Sequence, residues 1–318
     1  MGVTTNDLFG GGGRAEPATP GSYGEPPSGF RLPSASRLGP VRLAVTDLGR
    51  SVTWYQQALG FRAMRREAES AVLAAQDDER PVIELHQPQG VRAAAGRGRL
   101  GLYHFAILLP DRVSLGRFVR HMSERRVRLG AGDHLVSEAF YLHDPDHLGI
   151  EVYADRPRST WRRIGRELMM ATDPVDTASL LEASGETPWS GMPAGTVIGH
   201  VHLHVRELDA AAAFYGEALG FDRMVWSYPG ALFFAAGGYH HHLGTNTWAG
   251  PTARPPDETE ARLLEWTIEV PDGASVSAVA ASVEAAGYAV ERENGAVRMR
   301  DPWGTALRVQ AEETRPGR

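Results

Sequence analysis

The chain repeats itself, and that repeat limits what it can fold into more than any other feature. Val41-Arg-Leu-Ala-Val-Thr-Asp-Leu returns as Val201-His-Leu-His-Val-Arg-Glu-Leu. Trp54-Tyr55…Ala58-Leu59-Gly60-Phe61 returns as Phe214-Tyr215…Ala218-Leu219-Gly220-Phe221. The offset is 160 residues at Val45/Val205 and still 160 at Phe61/Phe221, the mark of a duplication. A second unit between the copies has its own echo: Pro110-Asp111 against Pro271-Asp272, and Asp144-Pro145 against Asp301-Pro302.

Periodicity fills in each unit. Val41–Val45 reads as a strand and Leu48–Leu59 as a helix, followed by strands ending at Val82–His86. Leu102–Leu109 reads as a strand and Val113–Arg126 as a helix; Ala139–Leu142 and Gly149–Tyr153 are strands around the turn Asp144-Pro145-Asp146. The chain thus holds four βαβββ modules, roughly 40–90, 100–154, 197–248 and 262–311. The expected class is α+β, with curved antiparallel sheets, helices outside, and module paired against module. Residues 1–36 are rich in Gly, Pro and Ser, with Gly10 to Gly13 in a row, and are expected to be a disordered tail. The expected organisation is an N-terminal domain of modules one and two (37–154), a polar connector with a helical stretch (155–196), and a C-terminal domain of modules three and four (197–318).

Composition closes off several classes of function. There is no cysteine, which excludes disulfides, thiolate nucleophiles and sulfur-built zinc sites, so any metal must take nitrogen and oxygen ligands. Lysine is absent as well, and a net charge of −6 with scattered arginines leaves no nucleic-acid footprint. No run is long enough to span a bilayer and no signal peptide opens the chain, which places the protein in the cytoplasm, away from membranes.

The densest chemistry is the strand Gly199-His-Val-His-Leu-His-Val. Alternation sends His200, His202 and His204 to one face and Val201, Leu203 and Val205 to the other. Aligned on their first strands, the four modules carry Pro40, His104, His200 and Glu265; on the last strand, module two has Glu151 where module four has Arg308. A single histidine in an apolar strand is more often a satisfied core residue. Glu151 is harder to dismiss. Flanked by Ile150, Val152 and Tyr153, it costs several kcal/mol to bury without a cation or a metal. Two imidazoles and a carboxylate form the set that holds non-haem Fe(II), or Mn(II), and leaves coordination positions open for a bidentate substrate and O₂. His200 is the first choice on its strand and His202 the second, with His204 as a pocket or hydrogen-bonding residue.

Beyond these single residues, four stretches resemble the vicinal oxygen chelate superfamily of glyoxalase I, fosfomycin-resistance proteins and extradiol dioxygenases. They are Gly101-Leu-Tyr-His-Phe-Ala-Ile-Leu-Leu-Pro-Asp-Arg; Tyr141-Leu-His-Asp-Pro-Asp with Gly149-Ile-Glu-Val-Tyr-Ala-Asp-Arg-Pro-Arg-Ser-Thr-Trp; Gly199–Val205; and Gly237-Gly-Tyr-His-His-His-Leu-Gly-Thr-Asn-Thr-Trp. Within that superfamily they are most similar to the Bacillus type of catechol-2,3-dioxygenase. The resemblance covers nearly all of the chain after the tail. It implies that His104, Glu151 and His200 are metal ligands, and that Tyr141 hydrogen-bonds a bound catecholate. It implies further that His241, with His242 as the alternative, is the acid–base catalyst beside O₂, and that His134 lines the oxygen pocket. The implied reaction is cleavage of a catechol-type ring next to its diol by O₂. A small aromatic diol and O₂ are then the partners, and assembly into a homo-oligomer stays open.

One departure matters. Many two-domain extradiol enzymes draw their ligands from modules three and four, but here module four has Glu265 and Arg308 in those places. The ligand set therefore requires modules two and three to share one metal-bearing barrel, with modules one and four as a metal-free partner. Two rivals remain. A glyoxalase-like isomerase or transferase usually has a second carboxylate on the last strand of the partner module, where this chain has His241-His242. A non-catalytic aromatic-ligand-binding protein would need no metal set. Phe140, Tyr141, Trp248 and Trp266 could line an aromatic pocket, although aromatics on strands are more often core.

Overall fold

Two eight-stranded sheets carry the fold of the computed structural model, which describes residues 2–10 and 14–312. Each sheet draws one module from each half of the sequence. One runs Asp222–Val225, Ala231–Ala235, Leu243–Asn246, Val197–His204, Gly101–Leu108, Gly149–Asp155, Ser137–His143, Gly130–Asp133, so modules three and two share it. The other runs Val290–Glu293, Ala296–Arg300, Ala306–Ala311, Arg262–Val270, Arg37–Ala44, Pro81–His86, Ser70–Ala74, Arg62–Arg66, joining modules four and one. In every module the first strand lies parallel to the last, and the two first strands of each sheet meet antiparallel at its centre. The segments 37–154 and 197–318 are thus repeats in sequence, and each sheet is completed only across the connector.

Strand alternation separates core from cavity. In the sheet of modules two and three, Phe105, Ile107, Ile150, Val152, Val201 and Leu203 point away from the histidines into one apolar cluster that also takes in the helices and the second sheet. The helices Arg112–Glu124 and Gly273–Ala285 begin alike, with Asp111 accepting from Ser114 N at 2.7 Å and Asp272 from Ser275 N at 2.8 Å. The helix expected over 48–59 is α-helical over Leu48–Trp54 and widens to a π-turn over Tyr55–Leu59, and Ala212–Ala218 repeats that turn in the duplicate. Tyr55 Oη then donates to Asp144 at 3.1 Å and Tyr215 Oη to Asp301 at 2.8 Å, each tying one sheet to the other.

The described part of the N-terminal segment is ordered, contrary to the expected tail. Its polar composition needs no core of its own, because it docks on surfaces supplied by the connector and module three. Thr172 N donates to the Val3 carbonyl at 2.8 Å, and Thr5 holds Asp173 at 2.9 and 2.6 Å. Glu16–Pro17 pairs with Arg162–Ile164, and Leu32 N donates to the Gly220 carbonyl at 2.8 Å. Of the four glycines in a row, Gly11 to Gly13 lie outside the described residues. The connector contains the expected helix, Thr177–Ala183. Among the described residues, no helix is long and apolar enough to cross a membrane.

Candidate metal centre

Register places a row of side chains across four adjacent strands. Tyr141 pairs with Glu151, Glu151 with Ala106, and Ala106 with His200. His104 lies two residues before Ala106, hence on the same face, directly opposite His202. His104, Glu151 and His200 each present a ligand atom within 4.8 Å of the other two, and all three are buried. Glu151 Oε2 is 3.0 Å from His104 Nε2 and 3.3 Å from His200 Nε2. The approach of His104 lacks hydrogen-bond geometry, and Glu151 Oε1 is buried without a partner. His200 Nε2 hydrogen-bonds Glu151 Oε2, but His104 Nε2 and Glu151 Oε1 stay unpaired, and buried nitrogens and oxygens gathered in this way are the donor set of a cation site.

Electrostatics agree with that geometry. Burial alone would push Glu151 up, yet His200 and His104 beside it hold it well below the usual carboxylate range. Burial pushes His200 down to about 4, against the pull of Glu151. An ionised carboxylate and a bare imidazole are the forms that ligate a metal. The residues present therefore fit a 2-His-1-carboxylate ion. The equivalent place in the other sheet has Pro40, Glu265 and Arg308. There Glu265 is clasped by Arg298 and, at 3.4 Å, by Arg42, which fills with cations the space a metal would need.

A cavity of about 690 Å³ opens over the triad. His134, Tyr141, His202 and His241 line it with the triad, and Val3, Met170, Tyr228, Phe233 and Trp248 form much of its apolar wall. His134 Nδ1 donates to the Ala171 carbonyl at 2.7 Å, so with a single proton its Nε2 accepts the Tyr141 hydroxyl at 2.6 Å. Burial, reinforced by the charge on Glu151, pushes the Tyr141 phenol well up, so it remains a donor. The His241 ring lies 4.1 Å from that of His200, and burial with the neighbouring His200 and His240 pushes it well down. Burial likewise pushes His202 well down; its Nε2 has no partner.

Not every expected residue reaches the cavity. In the loop between the strands Ala231–Ala235 and Leu243–Asn246, His241 lines the cavity and His242 does not. His242 Nδ1 accepts from Ala236 N at 3.2 Å, its ring is 6.2 Å from that of Phe221, and burial pushes it down to about 3. His204 donates to Asn246 Oδ1 at 2.6 Å. Of the four candidate aromatics, Tyr141 and Trp248 line the cavity, whereas Phe140 and Trp266 are core. The sequence reading did not find Gly2, Val3, Met170, Ala171 and Thr172 in the wall. They come from the N-terminal segment and the connector, where no periodicity or motif marks a cavity residue. Tyr103 was also missed, although its place next to His104 was a usable signal.

Comparison with known proteins bears on this fold and site. The family model of the Glyoxalase/Bleomycin resistance protein/Dioxygenase superfamily matches residues 37–152 and 197–309. The catechol-2,3-dioxygenase of Bacillus subtilis is 44% identical over 272 residues, which cover 84% of this chain and 94% of that protein. Among solved structures, a Bacillus subtilis protein assigned as a dioxygenase superposes with a TM-score of 0.63 at 10% identity, covering 91% of this chain and 87% of its own. A variant of glyoxalase I from Zea mays superposes with a TM-score of 0.51 at 17% identity, covering 86% and 92%; these two likenesses concern the fold. The chain belongs to the Glyoxalase/Bleomycin resistance protein/Dioxygenase superfamily. Within it, the protein is an oxidoreductase of the extradiol dioxygenase type.

Proposed function

We propose that the protein uses O₂ to cleave a neutral catechol beside its two hydroxyl groups, at Fe(II), or Mn(II), held by His104, Glu151 and His200. The observation that carries this reading is the buried triad, with His104 Nε2 and Glu151 Oε1 left unpaired, at the floor of an apolar cavity. When bound, the metal supplies one coordination sphere in which the diol and O₂ meet and through which electrons pass.

The side chains around it divide the remaining work. His241 takes the proton that the diol gives up and later returns it, its ring lining the cavity beside that of His200. Tyr141, whose single proton goes to His134 Nε2, offers its oxygen as the acceptor for a substrate hydroxyl, and His202 steadies the same side of the substrate. Val3, Met170, Phe233 and Trp248 exclude water and clamp the ring in the orientation needed for an intramolecular reaction. No arginine is among the described lining residues and the chain has no lysine, so a ring bearing a carboxylate finds no counter-ion there. The place where a glyoxalase-like isomerase would put a second carboxylate carries His241, which favours the dioxygenase reading.

Protein loaded anaerobically with Fe(II), then given catechol and air, should consume O₂ in step with formation of the yellow muconic semialdehyde. Exchanging catechol for 3,4-dihydroxybenzoate should lower kcat/KM at least about tenfold, the discrimination expected of a charge left unpaired in an apolar site. Metal uptake without ring opening of any catechol would overturn the proposal.

A further inference from the structure

Behind His241 runs a line of hydrogen bonds that the reaction described above does not use. His241 Nδ1 meets His240 Nδ1 at 2.7 Å. The other nitrogen of His240, Nε2, lies 2.9 Å from Asp155 Oδ1. Tyr239 Oη donates to the same oxygen at 3.1 Å and sits 2.7 Å from Tyr153 Oη. We infer that Asp155 and His240 are positioning residues that fix the His241 ring with its Nδ1 protonated and its Nε2 bare toward the cavity.

Two ring nitrogens in hydrogen-bond contact share a single proton, so one of them must be bare. A carboxylate oxygen only accepts, so the His240 nitrogen facing Asp155 carries a hydrogen. With that nitrogen holding its single proton, His240 Nδ1 is bare and must accept, and the shared proton belongs to His241 Nδ1. His241 Nε2 is then left as a lone pair on a ring that lines the cavity. Packing holds the arrangement rigid. His240 is fully buried, its ring 4.0 Å from that of Tyr239 and 5.5 Å from that of Trp161. Burial pushes both Tyr153 and Tyr239 well up, so they stay phenols and Asp155 keeps its donor. The opposite tautomer would show the substrate an N–H, which cannot take a proton. The catalytic consequence rests on the reading under Proposed function; the tautomer itself does not.

The test reads the tautomer directly. In full-length protein labelled with ¹⁵N-histidine and loaded with diamagnetic Zn(II), long-range ¹H–¹⁵N correlation distinguishes protonated from bare ring nitrogens. The His241 signals are identified by their loss in His241→Gln. The wild type should show a protonated Nδ1 and a bare Nε2; Asp155→Ala and His240→Phe should invert or mix the two, and Asp155→Glu should restore them. With Fe(II) and catechol, Asp155→Ala should lose about tenfold or more in kcat while KM and metal content hold. A protonated Nε2 in the wild type, or an unchanged tautomer in both variants, would overturn the inference. The expected tautomer in a protein that opens no catechol ring would count against the proposed function and leave this inference standing.

Discussion

Ala106 sits among the three proposed ligands, paired to Glu151 on one side and to His200 on the other. Its methyl packs in a small buried cluster with Ala139 and Tyr153, so a larger side chain there would force its neighbours apart. Ala106→Leu should therefore remove metal binding while the fold persists. Metal analysis after gel filtration checks the first claim, and circular dichroism the second. At this scale the sequence was readable wherever strand alternation decides: the shared face of His104, Glu151 and His200 follows from period two and module alignment, whereas the preference for His241 over His242 came from the family resemblance, since both lie in a loop. It was silent where a wall residue arrives from a distant segment. Val3 reaches the cavity because Tyr228 and Thr172 hold its backbone, at 3.3 and 2.8 Å, and nothing local to Val3 announces that.

The elements hold these residues in place through close approaches that only small side chains allow. A Cβ on Gly149 would lie 2.1 Å from the Tyr103 carbonyl oxygen, at the step that aligns the Glu151 strand with the His104 strand. Gly149→Ala should destabilise the protein by about 3 kcal/mol, the upper range for overpacking, and weaken metal binding through the displaced strand. Urea unfolding and metal titration together would show it, and loss of stability without loss of affinity would separate the two effects. The buried carboxyl of Asp144 makes stability respond to pH. Burial pushes the Asp144 carboxyl from 3.8 up to about 6, despite the Leu148 and Asp146 amides that donate to it. A raised carboxyl contributes stability that is complete below about 4 and lost as pH rises through about 6. The two-unit gap is worth about 3 kcal/mol. Asp144→Asn should lack that slope, so its stability relative to the wild type should climb by about this amount between pH 4 and pH 7.5. Parallel curves in urea unfolding would refute it. The helices over 48–59 and 113–126 were legible from apolar spacing, while the Asp caps behind the repeated Pro-Asp pairs emerged only in the structure. The π-turns were not legible either, since one extra residue in a turn leaves the apolar pattern nearly unchanged.

Across the whole molecule, the decisive feature is which modules share a sheet. The repeat shows that there are two copies of a two-module unit, but it does not show whether partners lie within a copy or between copies. The ligand set pointed to modules two with three, and the antiparallel pairing of Val197–His204 with Gly101–Leu108 has that arrangement. The sheet of modules one and four preserves the scaffold while Glu265, Arg42 and Arg298 occupy the equivalent place with ion pairs. The connector and the N-terminal segment, featureless as sequence, complete the cavity wall. If one metal ion is held across the junction of modules two and three, anomalous diffraction at the iron edge from crystals loaded anaerobically with Fe(II) should give a single strong peak within bonding distance of His104, Glu151 and His200. A peak elsewhere, such as between His202 and His241, or no peak at full loading, would contradict that placement.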